Sequence, residues 1–194
     1  EPLIGLLEVK IKKEVLGYDY SETKKHFQNL QNYFGAISCL RVASQIIQIE
    51  SFDCSSLVAE CAYELKELNK GTFSSIGPGA SVYVADRRLL KMALLNGLKN
   101  ASESTEQAST SREPKSIVVT WGETEIEYWI AVIDDGVGMG KMNGRAIKIG
   151  DSTKTGHFGM GLTIVKQAMQ TLNGSLSISS PNDTGAVFEL RWLR

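Results

Sequence analysis

A change of hydrophobic period at residue 51 constrains this chain more than any other feature of its sequence. Before it, Ile4, Leu7 and Ile11 recur at helical spacing, and Phe27, Leu30, Phe34 and Ile37 do so again. Each set forms one stripe of a helix, the seam of helices packed nearly parallel to one another. Gly17 ends the first run, and Ser21 with Glu22 opens the second. The pattern predicts helices over residues 2–16 and 21–49, an antiparallel hairpin. From Ser51 onward the texture is mixed α and β. The expected class is therefore α+β, with a helical hairpin over 1–50 and a second domain over 51–194.

The composition fits a globular chain: 42% of residues are apolar and 22% charged. The formal net charge is −1, from 21 Lys and Arg against 22 Asp and Glu. No basic excess or block points to nucleic acid or to a membrane surface, and neither partner is expected. No apolar run approaches the roughly 20 residues of a membrane-spanning helix, and the first residues lack a signal-peptide pattern. A cytoplasmic protein with no membrane contact by this chain is the expectation. Cys39, Cys54 and Cys61 form no Cys-x-x-Cys pair and sit at helical positions, so they read as buried hydrophobes.

Within the second domain the spacing predicts a helix over 55–68, a turn-rich stretch over 71–79 and a short strand over 81–84. Asp86 caps a helix running to about Ala101, and 102–111, nearly all Ser, Thr, Glu, Gln and Ala, reads as a solvated connection. Strands follow over 117–121 and 126–133, joined by a turn at Gly122-Glu123-Thr124. A helix over 161–172 stops at Asn173-Gly174, and strands over 175–179 and 186–192 close the chain. Trp121, Trp129 and Trp192 read as sheet packing.

Three clusters carry chemistry. Asn96 and Asn100 lie four apart on one face of a largely apolar helix, where polar amides suit a cleft; an amide oxygen is also a fair ligand for magnesium. Next, the apolar strand ending in Val132-Ile133 delivers Asp134, then Asp135-Gly136-Val137-Gly138-Met139. A carboxylate followed by a flexible turn suits a ligand that presents an amino group, such as adenine. Third, the run from Ser152-Thr153-Lys154-Thr155 through Gly156, Phe158, Gly159 and Met160 to Gly161-Leu162 opens into a helix. Free amides, a helix dipole, two hydroxyls and a cation together suit phosphate.

In this order and spacing the three clusters resemble the asparagine box and the two glycine boxes of the GHKL ATPase superfamily. Within it, the chain resembles the catalytic domain of a two-component sensor histidine kinase. The resemblance spans residue 51 to the end, including Leu172-Asn173-Gly174-Ser175-Leu176 and Gly185-Ala186-Val187-Phe188. It implies a Bergerat-type α/β sandwich, a mixed sheet covered by helices on one face, with ATP and Mg2+ as cofactors. The hairpin before it resembles the dimerisation and phosphotransfer hairpin of such kinases, which implies a homodimer and a response regulator partner.

Carried over residue by residue, the resemblance implies that Asp134 contacts the adenine amine and that Asn100 holds magnesium. Gly136 and Gly138 admit the base, and Gly156, Gly159, Gly161 and Lys154 surround the phosphates. Met139, Ser152, Thr153, Phe158, Met160 and Leu162 complete the implied nucleotide set, and Asn96 takes the catalytic position one helical turn before Asn100. In the ATP-hydrolysing machines of the superfamily that position holds a carboxylate base that activates water. An amide cannot take a proton, whereas a histidine acceptor is itself the nucleophile, so Asn96 favours a kinase. The heptad hairpin likewise argues against an anti-sigma serine kinase. Glu103 stands where many members carry Lys or Arg, and Ala186 where Thr is common. Those departures leave a degenerate, non-catalytic nucleotide-binding module as the alternative.

The family's acceptor histidine precedes a Pro-Leu pair, and Pro2-Leu3 matches that pair at the start of the chain. The acceptor is therefore expected upstream of residue 1. His26 is expected to be a surface residue, and His157 a solvated loop residue.

Overall fold

The computed structural model describes residues 46–66, 72–79, 81–108, 115–138, 147–148, 160–180 and 184–194, with scattered positions between 7 and 41. Two helices start on aspartate. Asp53, which ends β1 (Glu50–Asp53), accepts from the amides of Ser55 (3.4 Å) and Ser56 (3.0 Å) and so caps α1 (Cys54–Lys66). Both serine hydroxyls add hydrogen bonds, and together they hold the Asp53 carboxyl down at about 2. Asp86 caps α2 (Arg87–Ala108) in the same way, accepting from Arg88 N at 3.1 Å and Leu89 N at 3.3 Å. The third helix, α3 (Met160–Thr171), ends in a Schellman motif. There Asn173 takes a φ of 52°, and the amides of Asn173 and Gly174 return to the carbonyls of Gln170 and Met169.

Six strands form the main sheet, in the order β2 (Thr72–Ile76), β4 (Ser116–Glu123), β5 (Glu127–Asp134), β8 (Ala186–Leu193), β7 (Ser175–Ser179), β6 (Ile147–Lys148). The β2–β4 pair is parallel and the remaining pairs are antiparallel. Inward residues alternate along the strands: Ile117, Val119 and Trp121 on β4; Tyr128, Ile130 and Val132 on β5; Phe188, Leu190 and Trp192 on β8. They form one core with Leu57, Val58 and Leu65 of α1, Leu90, Leu94 and Leu98 of α2, and Val165 and Met169 of α3. α1, α2 and α3 therefore share one core against the sheet, the mixed α+β architecture expected from the sequence. A ribbon of β1 and β3 (Val82–Ala85) is stitched to the main sheet by aromatic contacts. Tyr83 stacks on Tyr128 at 4.4 Å, and Trp192 Nε1 donates to the Val84 carbonyl at 3.2 Å. Trp121 and Trp192 are buried, and Trp129 covers Gly122 from the neighbouring strand, so all three pack against the sheet as expected. Cys54 and Cys61 are likewise buried, and burial pushes both thiols up to about 12.

Several sequence expectations are corrected. The stretch over 102–111 is not a connection in its first part: α2 continues to Ala108. Its small residues Ala101, Ser102 and Thr105 are buried, and Thr105 Oγ1 satisfies itself on the Ser102 carbonyl at 2.9 Å. Burial of small side chains, rather than apolar content, extends the helix. The turn-rich stretch over 71–79 contains β2, which is made by pairing with β4 and carries one inward apolar residue, Phe73. Ser51-Phe52-Asp53 is a strand, and a two-residue strand at Ile147–Lys148 pairs with β7. The β4–β5 turn lies later than expected because Gly122 is a strand residue opposite Trp129; Thr124 N closes the turn on the Glu127 carbonyl at 2.8 Å.

In the hairpin region, Gly17 has a φ of 70°, the left-handed geometry of a helix stop. Residues 46–49 are irregular rather than helical, and the Gln48 amide is bound by Asp86 Oδ2 at 2.9 Å. Phe27 is buried, whereas Leu7, Leu30, Phe34 and Ile37 are exposed. Ile4 and Cys39 lie outside the described residues.

Candidate functional site

Three polar residues of α2, Asn96, Asn100 and Ser104, follow one another at four-residue intervals and so share one stripe of the helix. Both ends of this stripe are anchored. At the N-terminal end, Asn96 Nδ2 donates to the Met92 carbonyl at 2.8 Å, which turns its Oδ1 toward the start of α3. A Cβ at Gly161 would lie 2.9 Å from that oxygen, so glycine is what lets α3 begin against the asparagine. The next residue along α2, Gly97, lies under the Phe188 ring, where a Cβ would approach to 2.6 Å. Asn100, between the two anchored residues, is exposed.

At the other end of the stripe, Ser104 Oγ donates to Asp134 Oδ1 at 3.1 Å. Asp134 is the last residue of β5 and is 9% exposed. The same oxygen accepts from Gly136 N at 3.0 Å. Burial raises the proton affinity of this carboxyl; the donors Gly136, Ser104 and Ala186 oppose the rise, and neighbouring Asp135 adds to it. The two adjacent aspartates do different work. Asp135 is exposed and turns to β4, where its carboxylate accepts from Ser116 N at 2.6 Å. Asp134 is the carboxylate turned inward.

The turn after Asp134 is held on two sides. Val137 N donates to the Ser104 carbonyl at 3.3 Å, and Gly185 N donates to the Gly136 carbonyl at 2.9 Å. Gly138 and Gly185 both occupy the left-handed region, at φ values of 70° and 68°. Ser180 Oγ donates to the Gly185 carbonyl at 2.6 Å and fixes the loop leading into β8.

The structure thus brings together Asn96, Asn100, Asp134, Gly136, Gly138 and Gly161 through α2, the β5 turn and the start of α3. Met160 opens α3, and Leu162 packs against the core. Met139, Ser152, Thr153, Lys154, Gly156, Phe158 and Gly159, together with His157, lie outside the described residues. Sequence reasoning missed Ser104 and Ser180. Ser104 was legible in principle, because it continues the four-residue stripe of the asparagines; nothing in the sequence marks Ser180.

Among the described residues, no group of three or more His, Cys, Asp or Glu side chains could hold a metal. No described helix is long and apolar enough to cross a membrane.

Comparison with known proteins agrees with this geometry. Residues 85–194 match the family described as histidine kinase-, DNA gyrase B-, and HSP90-like ATPase. A putative sensor histidine kinase NtrY-like protein of Rickettsia felis is 30% identical over 111 residues, which is 57% of this chain and 18% of that protein. The nitrogen regulation protein NtrY of Azorhizobium caulinodans is 28% identical over 150 residues, 75% of this chain and 19% of that protein. The chain thus spans less than a fifth of the length of these relatives. Among solved structures, the catalytic domain of histidine kinase ThkA aligns with a TM-score of 0.61 at 18% identity, covering 75% of this chain and 97% of that one. ThkA in complex with the response regulator protein TrrA aligns with a TM-score of 0.61 at 18% identity, over 98% of this chain and 56% of that one. At such identities the likeness is one of fold, whereas the family match covers more than half of the sequence. The chain belongs to the histidine kinase-, DNA gyrase B-, and HSP90-like ATPase family.

Proposed function

We propose that this chain is the ATP-binding catalytic portion of a sensor histidine kinase, which transfers the γ-phosphoryl of ATP to a histidine lying upstream of residue 1. The observation that carries the reading is Asp134: a buried carboxylate at a strand end, fixed by Gly136 N and Ser104 Oγ and flanked by the stripe that holds Asn96 and Asn100. A buried carboxylate selects a ligand that presents an N–H donor, and the adenine amine is such a donor. The glycine-rich run from 156 to 161, with Lys154, Ser152 and Thr153, takes the phosphates. In the transfer, an imidazole nitrogen lone pair bonds to the γ-phosphorus as the bond to the β-bridging oxygen breaks, and ADP leaves. Catalysis of this kind is mostly positioning and charge stabilisation.

Magnesium fits the donor set in a limited way. Asn100 is exposed and offers one amide oxygen, which suits a cation that keeps most of its waters and shares the phosphates. Bound there, Mg2+ would neutralise charge building on the transferring phosphoryl group. Asn96 carries no proton-accepting group, which supports transfer to an incoming nucleophile over activation of water.

We also propose that the chain dimerises through its hairpin. Exposed Leu30, Phe34 and Ile37 recur on one helix stripe and favour a partner helix pair. The phosphoryl group would then pass to a response regulator. The nucleotide reading is tested by calorimetry with ATP on Asp134→Asn, which places a donor against the adenine amine. The expected result is loss of ATP binding by a chain that still melts cooperatively; unchanged affinity would overturn the reading.

A further inference from the structure

Ser104 belongs to none of the three sequence clusters, yet it meets the β5 turn at three points. Its hydroxyl donates to Asp134 Oδ1 at 3.1 Å, and its carbonyl accepts from Val137 N at 3.3 Å. Its hydroxyl also lies where a Cβ on residue 136 would be, so the glycine clears the room that the hydroxyl occupies. We infer that Ser104 is a positioning residue for adenine recognition: it locks the Asp134 carboxylate in the orientation that accepts the adenine amine. The inference rests on the reading of Asp134 given above and names a residue through which that reading works.

A carboxylate rotates about its last side-chain bond with a broad preference, so its orientation is set by its hydrogen-bond donors. Gly136 N and Ser104 Oγ both bind Oδ1, one from the turn and one from α2. Donors from different elements fix the plane of the carboxylate; without the α2 hydroxyl only the turn amide and the weaker Ala186 amide remain to hold it. The remaining acceptor positions then have a defined direction. Without the hydroxyl, a ligand that donates would meet a carboxylate that must first be ordered. A ligand that accepts at the same place would be repelled less.

The test compares ADP with inosine diphosphate, which carries an oxygen in place of the amino group, by calorimetric titration of the 194-residue chain. The parent should prefer ADP. Ser104→Ala should weaken ADP about tenfold and inosine diphosphate by less than about twofold, so that discrimination collapses. Ser104→Thr, which keeps the hydroxyl, should restore ADP affinity and discrimination to within about threefold of the parent. Ser104→Cys, nearly the same shape with a weak donor, should fall between the two and serves as a second removal variant if the alanine chain melts early.

Equal weakening of both nucleotides in Ser104→Ala would make Ser104 merely structural and overturn the inference. Undiminished ADP affinity in Ser104→Ala or Ser104→Cys would do the same while leaving the reading of Asp134 intact. Equal affinity of the parent for both nucleotides would remove the adenine reading itself, and the inference with it.

Discussion

Replacing Gly136 by alanine tests the contact between the β5 turn and α2, because the added Cβ would fall on the Ser104 hydroxyl and backbone. A Cβ there would lie 2.5 Å from the backbone carbon and 2.6 Å from the carbonyl oxygen of Ser104. Ordinary van der Waals contact begins near 3.4 Å, so the turn and α2 must separate by roughly 0.9 Å, the difference 3.4 − 2.5. Backbone cannot rotate out of the way as a side-chain end can. The movement pulls on the bond from Val137 N to Ser104 O (3.3 Å) and on the bond from Gly185 N to Gly136 O (2.9 Å). Overpacking alone costs about 1–3 kcal/mol, and one weakened hydrogen bond adds about 1. The sum, about 2–4 kcal/mol, lowers the melting temperature by roughly 5–15 °C for a chain of this length. Backbone torsion contributes nothing to this, because Gly136 is not among the glycines with positive φ.

Gly161→Ala is the matched control. Its Cβ would meet Asn96 Oδ1 at 2.9 Å, the end of a rotatable side chain, and alanine in a helix gains up to about 1 kcal/mol over glycine. The two opposing effects should leave its stability within about 1 kcal/mol of the parent. Thermal unfolding followed by circular dichroism reads both variants. A Gly136→Ala chain melting within about 2 °C of the parent, or a Gly161→Ala chain melting more than about 4 °C below it, would refute the reasoning.

Two further outcomes follow from single residues. Asp53→Ala removes the α1 cap and should cost about 1 kcal/mol near neutral pH. Because the folded Asp53 carboxyl is held down at about 2, below its ordinary value near 3.9, that stability is fully present above about pH 4 and is lost as pH falls toward 2. Melting temperatures of parent and variant should converge over that window, and a constant gap down to pH 2 would contradict the assignment. Asn100→Ala should leave the melting temperature within about 2 °C, since the side chain is exposed, while removing the dependence of ATP affinity on magnesium. An unchanged magnesium titration would show that Asn100 holds no cation.

Much of this architecture was legible because it rests on local rules. Asp86 as a cap, Asn173-Gly174 as a helix stop and the alternation along β5 and β8 are each written in a few adjacent residues. What was not legible depends on partners far along the chain. β2 has one inward apolar residue and exists because β4 offers it a parallel edge. The second half of α2 has the composition of a linker and is helical because Ser102 and Thr105 are small enough to be buried there. In the site, the asparagines, Asp134 and the glycines stood out by residue type. Ser104 did not stand out by type; only its place on the four-residue stripe marks it, and that does not name a carboxylate thirty residues on as its acceptor.

The geometry of the site follows from where α2 is permitted to approach its neighbours. At three places the helix meets another element so closely that a Cβ would force something to shift. Gly97 lies under Phe188 of β8, Gly136 lies against Ser104, and Gly161 lies against Asn96. Of these glycines, Gly136 was read from the sequence as admitting the base and Gly161 as surrounding the phosphates. In the folded chain their first consequence is contact between elements: they set the spacing of α2 from the β5 turn and from α3. Asn100, on the helix between those contacts, has its position fixed from both ends without a restraint of its own. An exposed amide can thus be well placed for a ligand while contributing little to the fold. A substitution at Gly136 should therefore act on Asn100 and Asp134 together, whereas a substitution at Asn100 acts on that residue alone.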